Sequence, residues 1–183
     1  MEYNEYRKNN MRERRWMDEL DVKIIKLLQE NARVTASDIA GAVSLSVPAV
    51  SERLKKLETS GVIKQYTAIV NPEYFQKALM AIVFISLDRP RFVEVFAEFV
   101  KQQDDILECH YLAGDFDYAL KVVTENTSTL QELLNRIKSV QGVQKTRTTV
   151  ILSTAKNNYS VIPEDPAVRE HTGRREGKTD RRC

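Results

Sequence analysis

Glu52, Arg53, Lys55 and Lys56 stand in one stretch, directly behind Ser46-Val47-Pro48-Ala49. Together these side chains have the chemistry to read a nucleic acid. Arginine and lysine reach phosphates or the acceptor edge of guanine, and a glutamate accepts from a cytosine amino group. The leading residues are small, so the start of a helix carrying them could enter a major groove without steric conflict. A solvated helix surface is the plainer explanation of Lys55, Lys56 and Glu58. A second stretch, "ECHYLAGDFDYALKV" over 108–122, is unusual in another way. Gly114-Asp115-Phe116-Asp117 interrupts two segments that favour extended structure. A tight turn explains the glycine and one aspartate; it requires neither the second aspartate nor the phenylalanine between them.

Elements must hold these residues in place. Leu20, Ile24, Ile25, Leu27 and Leu28 mark a first helix, with Asp18 or Asp21 as N-cap. Thr35 caps a second, with Asp38 as its capping-box partner and Ile39, Ala40 and Val43 on the apolar side. Ser46 caps a third, from Val47 to about Thr59, with Pro48 in its first turn and Gly61 as its stop. At about 100° per residue, Val47, Val50, Leu54 and Leu57 share one side of that helix, and Pro48, Ala49, Glu52 and Lys56 the other. Helix, short turn and two-faced helix fit a helix-turn-helix. The candidate DNA contacts are Thr35, Ser46, Pro48, Ala49, Glu52, Arg53, Lys55 and Lys56.

Beyond Gly61 the pattern changes. "VIKQYTAIV" reads as a strand broken by "NPEYF", and "MAIVFISLD" as a buried strand. A helix follows, with Phe92, Val95, Phe96 and Phe99 on one side. Strands over 106–113 and 117–124 come next, then a helix opened by Thr127 or Ser128 and running through Val140. "GVQKTRTTVILSTA" is the last strand. The order β-α-β-β-α-β is the split βαβ arrangement of ferredoxin-like α+β domains. The predicted organisation is a charged arm over 1–17, a helix-turn-helix domain over 18–66, a hinge over 67–78, a βαββαβ domain over 79–156 and a disordered charged tail over 157–183.

Composition excludes several classes. No apolar run approaches the ~20 residues of a membrane helix, and the charged N-terminus lacks the apolar segment of a secretory signal. Cys109 and Cys183 are the only cysteines and form no CxxC pair, as expected of reduced thiols in a cytoplasmic protein. His110 stands mid-strand without a second ligand and His171 lies in the tail, so no metal or cofactor site is expected. Trp16 and Tyr3 precede the fold and could cover an apolar surface. The net charge is only +2, so nucleic-acid binding must use a local patch.

From Leu20 to Ala155 the chain resembles the leucine-responsive and asparagine-operon (feast/famine) regulators of prokaryotes. The resemblance is carried by "LDVKIIKLLQENARVTASDIAGAVSLSVPAVSERLKKLETSGVIKQYTAIVNPEYF", by "ECHYLAGDFDYALKV" and by "GVQKTRTTVIL". It implies a winged-type helix-turn-helix, a hinge strand, and a second domain that dimerises by pairing sheets. It also implies double-stranded DNA with a palindromic operator, higher assembly of dimers, and a small effector, often an amino acid, at contacts between dimers. The turn then has a use. Its backbone N–H groups suit a carboxylate and an aspartate suits an ammonium. The implied effector residues are Ala113, Gly114, Asp115 and Asp117, with Thr146 and Thr148 from the last strand. A plain hairpin, with Asp115 as a turn residue and Asp117 held by backbone N–H groups, is the structural alternative. Many family members carry a hydroxyl residue where Ala113 stands, which leaves open a different ligand or a regulator without one. An enzyme of the siroheme-decarboxylase type shares the two-domain layout, but its arginine pair after the glycine is here Lys64-Gln65. The expected protein is therefore a regulator and not an enzyme.

Overall fold

The computed structural model describes residues 17–163. Residues 1–16, with Tyr3 and Trp16, and residues 164–183, with His171 and Cys183, lie outside the described residues. The described chain groups into two compact units, 17–68 together with 158–163, and 69–157. The segment 158–163, expected to begin a separate tail, thus groups with the first unit.

The first unit holds three helices: α1 (Glu19–Glu30), α2 (Ala36–Val43) and α3 (Val47–Thr59). Each begins where a short polar side chain caps it. The Asp18 carboxylate accepts from the Asp21 N–H, the Thr35 hydroxyl from the Asp38 N–H and the Ser46 hydroxyl from the Ala49 N–H. Ser44, in the left-handed region at φ 56°, ends α2 and starts the turn into α3. The apolar stripes of the three helices meet at Ile24, Ile39, Val43, Val50 and Leu57. Val47, expected on the same side, is 43% exposed, and the buried side of α3 is carried by Val50 and Leu57. Residues 62–70 form no strand. A strand needs a hydrogen-bonded neighbour, and among the described residues no strand pairs with this span.

The second unit holds β1 (Leu79–Leu87), α4 (Val93–Lys101), β2 (Ile106–Tyr111), β3 (Tyr118–Thr124), α5 (Thr127–Ser139) and β4 (Val143–Val150). The strands form one antiparallel sheet in the order β2-β3-β1-β4. Alternation assigns its faces. Ala81, Val83 and Ile85 of β1, with Tyr118, Leu120 and Val122 of β3, pack against Phe96, Leu133 and Ile137 of the helices. Val95 is 47% exposed, since the buried side of α4 runs through Phe92, Phe96 and Val100. The other face of the sheet has no core helix of this unit packed against it, and carries Ile82, Phe84, Lys121, Lys145 and Arg147.

Gly142, just before β4, has φ +93°, and a Cβ there would run into the Phe92 ring. Gly142→Ala is expected to lower the unfolding free energy by roughly 2–4 kcal/mol, from backbone strain and overpacking together. Urea denaturation of the full chain measures it.

Candidate DNA-reading helix and effector turn

The exposed side of α3 carries Val47, Pro48, Ser51, Glu52, Lys55 and Lys56, while Val50 and Leu57 are buried and Ala49 is half-buried. Small residues lead and cations follow, as major-groove entry requires. Ser51 was missed by sequence reasoning, although its place one turn before Lys55 puts it on the same side. Thr35 and Ser46 are exposed, and both hydroxyls serve as helix caps. The Thr35 hydroxyl also donates to Asp38 Oδ2 at 2.6 Å.

Arg53 stands apart from this set. Its Nη1 lies 2.6 Å from Asp21 Oδ1 and 2.8 Å from Asp18 Oδ2, so this residue, expected at the DNA, is engaged in an ion pair with the start of α1. The cause is Asp21, which is 1% exposed and must find a positive partner. The hydrogen bond to Asp21 outweighs desolvation and pushes the Arg53 pKa further up. At Asp18, burial works to raise the pKa. The Asp21 N–H, the Arg53 guanidinium and the Leu20 N–H outweigh it, and the carboxyl ends below its ordinary range. Past the helix, the Tyr66 hydroxyl donates to Glu58 Oε1 at 3.0 Å. Burial and that carboxylate push its pKa up to about 12.

In the second unit, the turn over 112–117 is held from both ends. The Leu112 N–H donates to the Asp117 carbonyl at 2.8 Å, and the Asp117 N–H donates to the Ile85 carbonyl at 2.9 Å. The Asp117 carboxylate accepts from the Leu87 N–H at 2.7 Å. Asp117 thus ties the turn to the end of β1. Phe116 is buried on the sheet face opposite the helices, with its ring 5.5 Å from that of Phe84. The Arg147 guanidinium lies 4.8 Å from both rings and Lys145 Nζ 5.5 Å from Phe116. This cluster explains the phenylalanine between the aspartates. One sign of it was legible: Arg147 stands between Thr146 and Thr148, so alternation places it on the other face.

Ala113, Gly114 and Asp115 are exposed, and the Asp115 carbonyl accepts from the Ser86 hydroxyl at 3.4 Å. Gly114 has no left-handed backbone, and a Cβ there would meet nothing within 4 Å. The chain's own packing therefore does not require this glycine. Thr146 and Thr148 pair with Ile85 and Val83, which puts them on the helix side of the sheet. The structure brings Ser86 to Asp115 and Leu87 to Asp117, and leaves the two threonines on the sheet face opposite Phe116.

Residues 17–64 match the winged helix-turn-helix DNA-binding family, and residues 80–161 match the Lrp/AsnC ligand binding domain. The chain is 36% identical over 140 residues to the HTH-type transcriptional regulator FL11 of Pyrococcus abyssi, covering 76% of this chain and 92% of that one. It is 36% identical over 163 residues to the leucine-responsive regulatory protein of Haemophilus influenzae, covering 86% and 98%. The chain belongs to the Lrp/AsnC family. It is a DNA-binding transcriptional regulator of the Lrp/AsnC type, with a winged helix-turn-helix followed by an α+β domain. Among solved structures, it is similar to a transcriptional regulator of Neisseria meningitidis in complex with L-Met, with a TM-score of 0.75 and 32% identity over 79% of this chain and 95% of that one. A feast or famine regulatory protein of Mycobacterium tuberculosis complexed with L-methionine gives a TM-score of 0.75 and 32% identity, over 80% and 99%.

Asp18 makes acid stability testable. Its folded pKa is depressed, so its ionised form contributes stability above the ordinary carboxylate value of about 4. That contribution is lost as pH falls through the lower folded value. The urea midpoint of the wild type is expected to drop more steeply from pH 6 to pH 3 than that of Asp18→Asn.

Proposed function

We propose that this Lrp/AsnC regulator reads a palindromic operator with the exposed side of α3, through Pro48, Ala49, Glu52, Lys55 and Lys56, in the cytoplasm. Thr35 and Ser46 support the reading as the caps that start α2 and α3. The observation that carries it is the division of α3: Val50 and Leu57 are buried, while the small leading residues and both lysines are outside. A dimer would place two such helices in successive major grooves, about one helical turn apart. The unpartnered sheet face with Ile82 and Phe84 suits a second copy of the chain, and larger assemblies would follow from it. The protein acts as a regulator and carries out no chemical step.

The second part of the proposal is an amino-acid effector beside Ala113–Asp117, as the relatives solved with methionine suggest. Gly114 supports it, because the space beside that residue is open and nothing in the chain itself explains the missing side chain. Asp115 is the exposed carboxylate for an ammonium. Asp117 acts through the turn, because its carboxylate already holds the Leu87 N–H. Thr146 and Thr148 contribute from the helix side of β4 at most. The effector changes DNA binding by favouring one assembly over another, since a ligand shifts an equilibrium only through its differential affinity.

Two measurements test these parts separately. In gel-shift titrations across salt concentrations, Lys55→Ala/Lys56→Ala is expected to flatten the salt dependence by about 1–2 units of slope. An unchanged slope would remove both lysines from the interface. In calorimetry against the twenty standard amino acids, Gly114→Ala is expected to abolish binding with the thermal midpoint unchanged. Binding of equal strength would place the effector elsewhere.

A further inference from the structure

Apolar contacts hold α3 against α1 and α2, and such contacts are non-directional. Val50, Leu54 and Leu57 would tolerate some rotation of α3 about its own axis; a short charge-assisted hydrogen bond would not. The Arg53 guanidinium makes such bonds to a carboxylate that is almost wholly buried, Asp21, and to Asp18 beside it. Both acceptors are fixed in turn by the capping box of α1. The Asp18 N–H donates to Asp21 Oδ2 at 3.1 Å and the Asp21 N–H donates to Asp18 Oδ1 at 2.9 Å. At about 100° per residue, Arg53 points roughly 140° away from Pro48, 100° from Glu52 and 160° from Lys55, but about 40° from Ala49 and 60° from Lys56; it stands at the flank of the outward side, where its guanidinium is held by α1.

We propose that Arg53 is a positioning residue: with Asp18 and Asp21 it fixes the roll of α3 on α1 and so selects which α3 side chains meet the bases, without touching DNA itself. This rests on the DNA-reading side of α3 proposed above. It replaces the expectation that Arg53 contacts a phosphate or guanine.

The test uses a duplex selected from a random pool by the full wild-type chain, with a scrambled duplex as the non-specific probe. Arg53→Met is expected to lower the thermal midpoint, because it leaves Asp21 buried without a cation. Asp21→Asn/Arg53→Met keeps an acceptor for the Asp18 N–H and removes the buried charge. Its midpoint is expected to return close to wild type. Both variants are expected to bind the selected duplex roughly tenfold more weakly, the scale of one lost base contact. Affinity for the scrambled duplex and the salt slope are expected to stay at wild-type values, and Arg53→Lys is expected to restore part of the selectivity. Two results would overturn the proposal. A salt slope lower by about one in the stable double variant would make Arg53 a phosphate contact. Full selectivity in that variant would make the ion pair purely structural. If the wild type selects no duplex at all, the DNA-reading assignment fails first, and the midpoints still report on the ion pair.

Discussion

A buried carboxylate constrains the first unit more than any other single feature. Asp21 sits within the helical core with 1% of its surface exposed, so folding must supply it with a positive partner. Arg53 is that partner, 32 residues along the chain. The pairing joins the capping box that starts α1 to the middle of α3, and the apolar stripe of α3 closes beneath it. The side of α3 left outside is then settled: small residues at the front, charged residues behind. A helix that must bury Val50 and Leu57 and hold Arg53 against α1 presents Pro48, Glu52 and Lys55 outward.

The second unit solves a similar problem with a turn. Gly114–Asp117 looks over-equipped if only a reversal of direction is needed. Two of its residues are occupied by the fold itself. Asp117 bonds the backbone at the end of β1, and Phe116 covers Phe84 beneath Arg147. What remains exposed, Ala113, Gly114 and Asp115, is the part of the turn that can meet something outside the chain. Three available residues are thus followed by two held ones within one short segment, and a small ligand there would meet an edge already held in place.

Much of this was legible in the sequence because it follows from local rules. Capping residues located the three helices of the first unit, and hydrophobic periodicity located the split βαβ order. The helix-turn-helix followed from the two-faced third helix. What sequence reasoning missed came from distant pairing. Arg53 looks like its neighbours Lys55 and Lys56 until Asp21 is seen to be buried. The span 62–70 is rich in residues that favour strands, yet strand structure depends on a neighbour as much as on propensity. That Asp117 is held by a backbone N–H was one of the two readings the sequence offered, but its partner, the Leu87 N–H, comes from a distant strand. Thr146 and Thr148 joined the effector set through the resemblance, and only the register shows that they face the helices.

The central claim is that the outward side of α3 reads bases. Its most direct test is selection of bound duplexes from a random pool by the wild type and by Glu52→Gln. Glu52 is exposed on that side and would accept from a cytosine amino group. The two selected motifs are expected to differ at one symmetric pair of positions and to agree elsewhere. Identical motifs, at equal affinity, would contradict it.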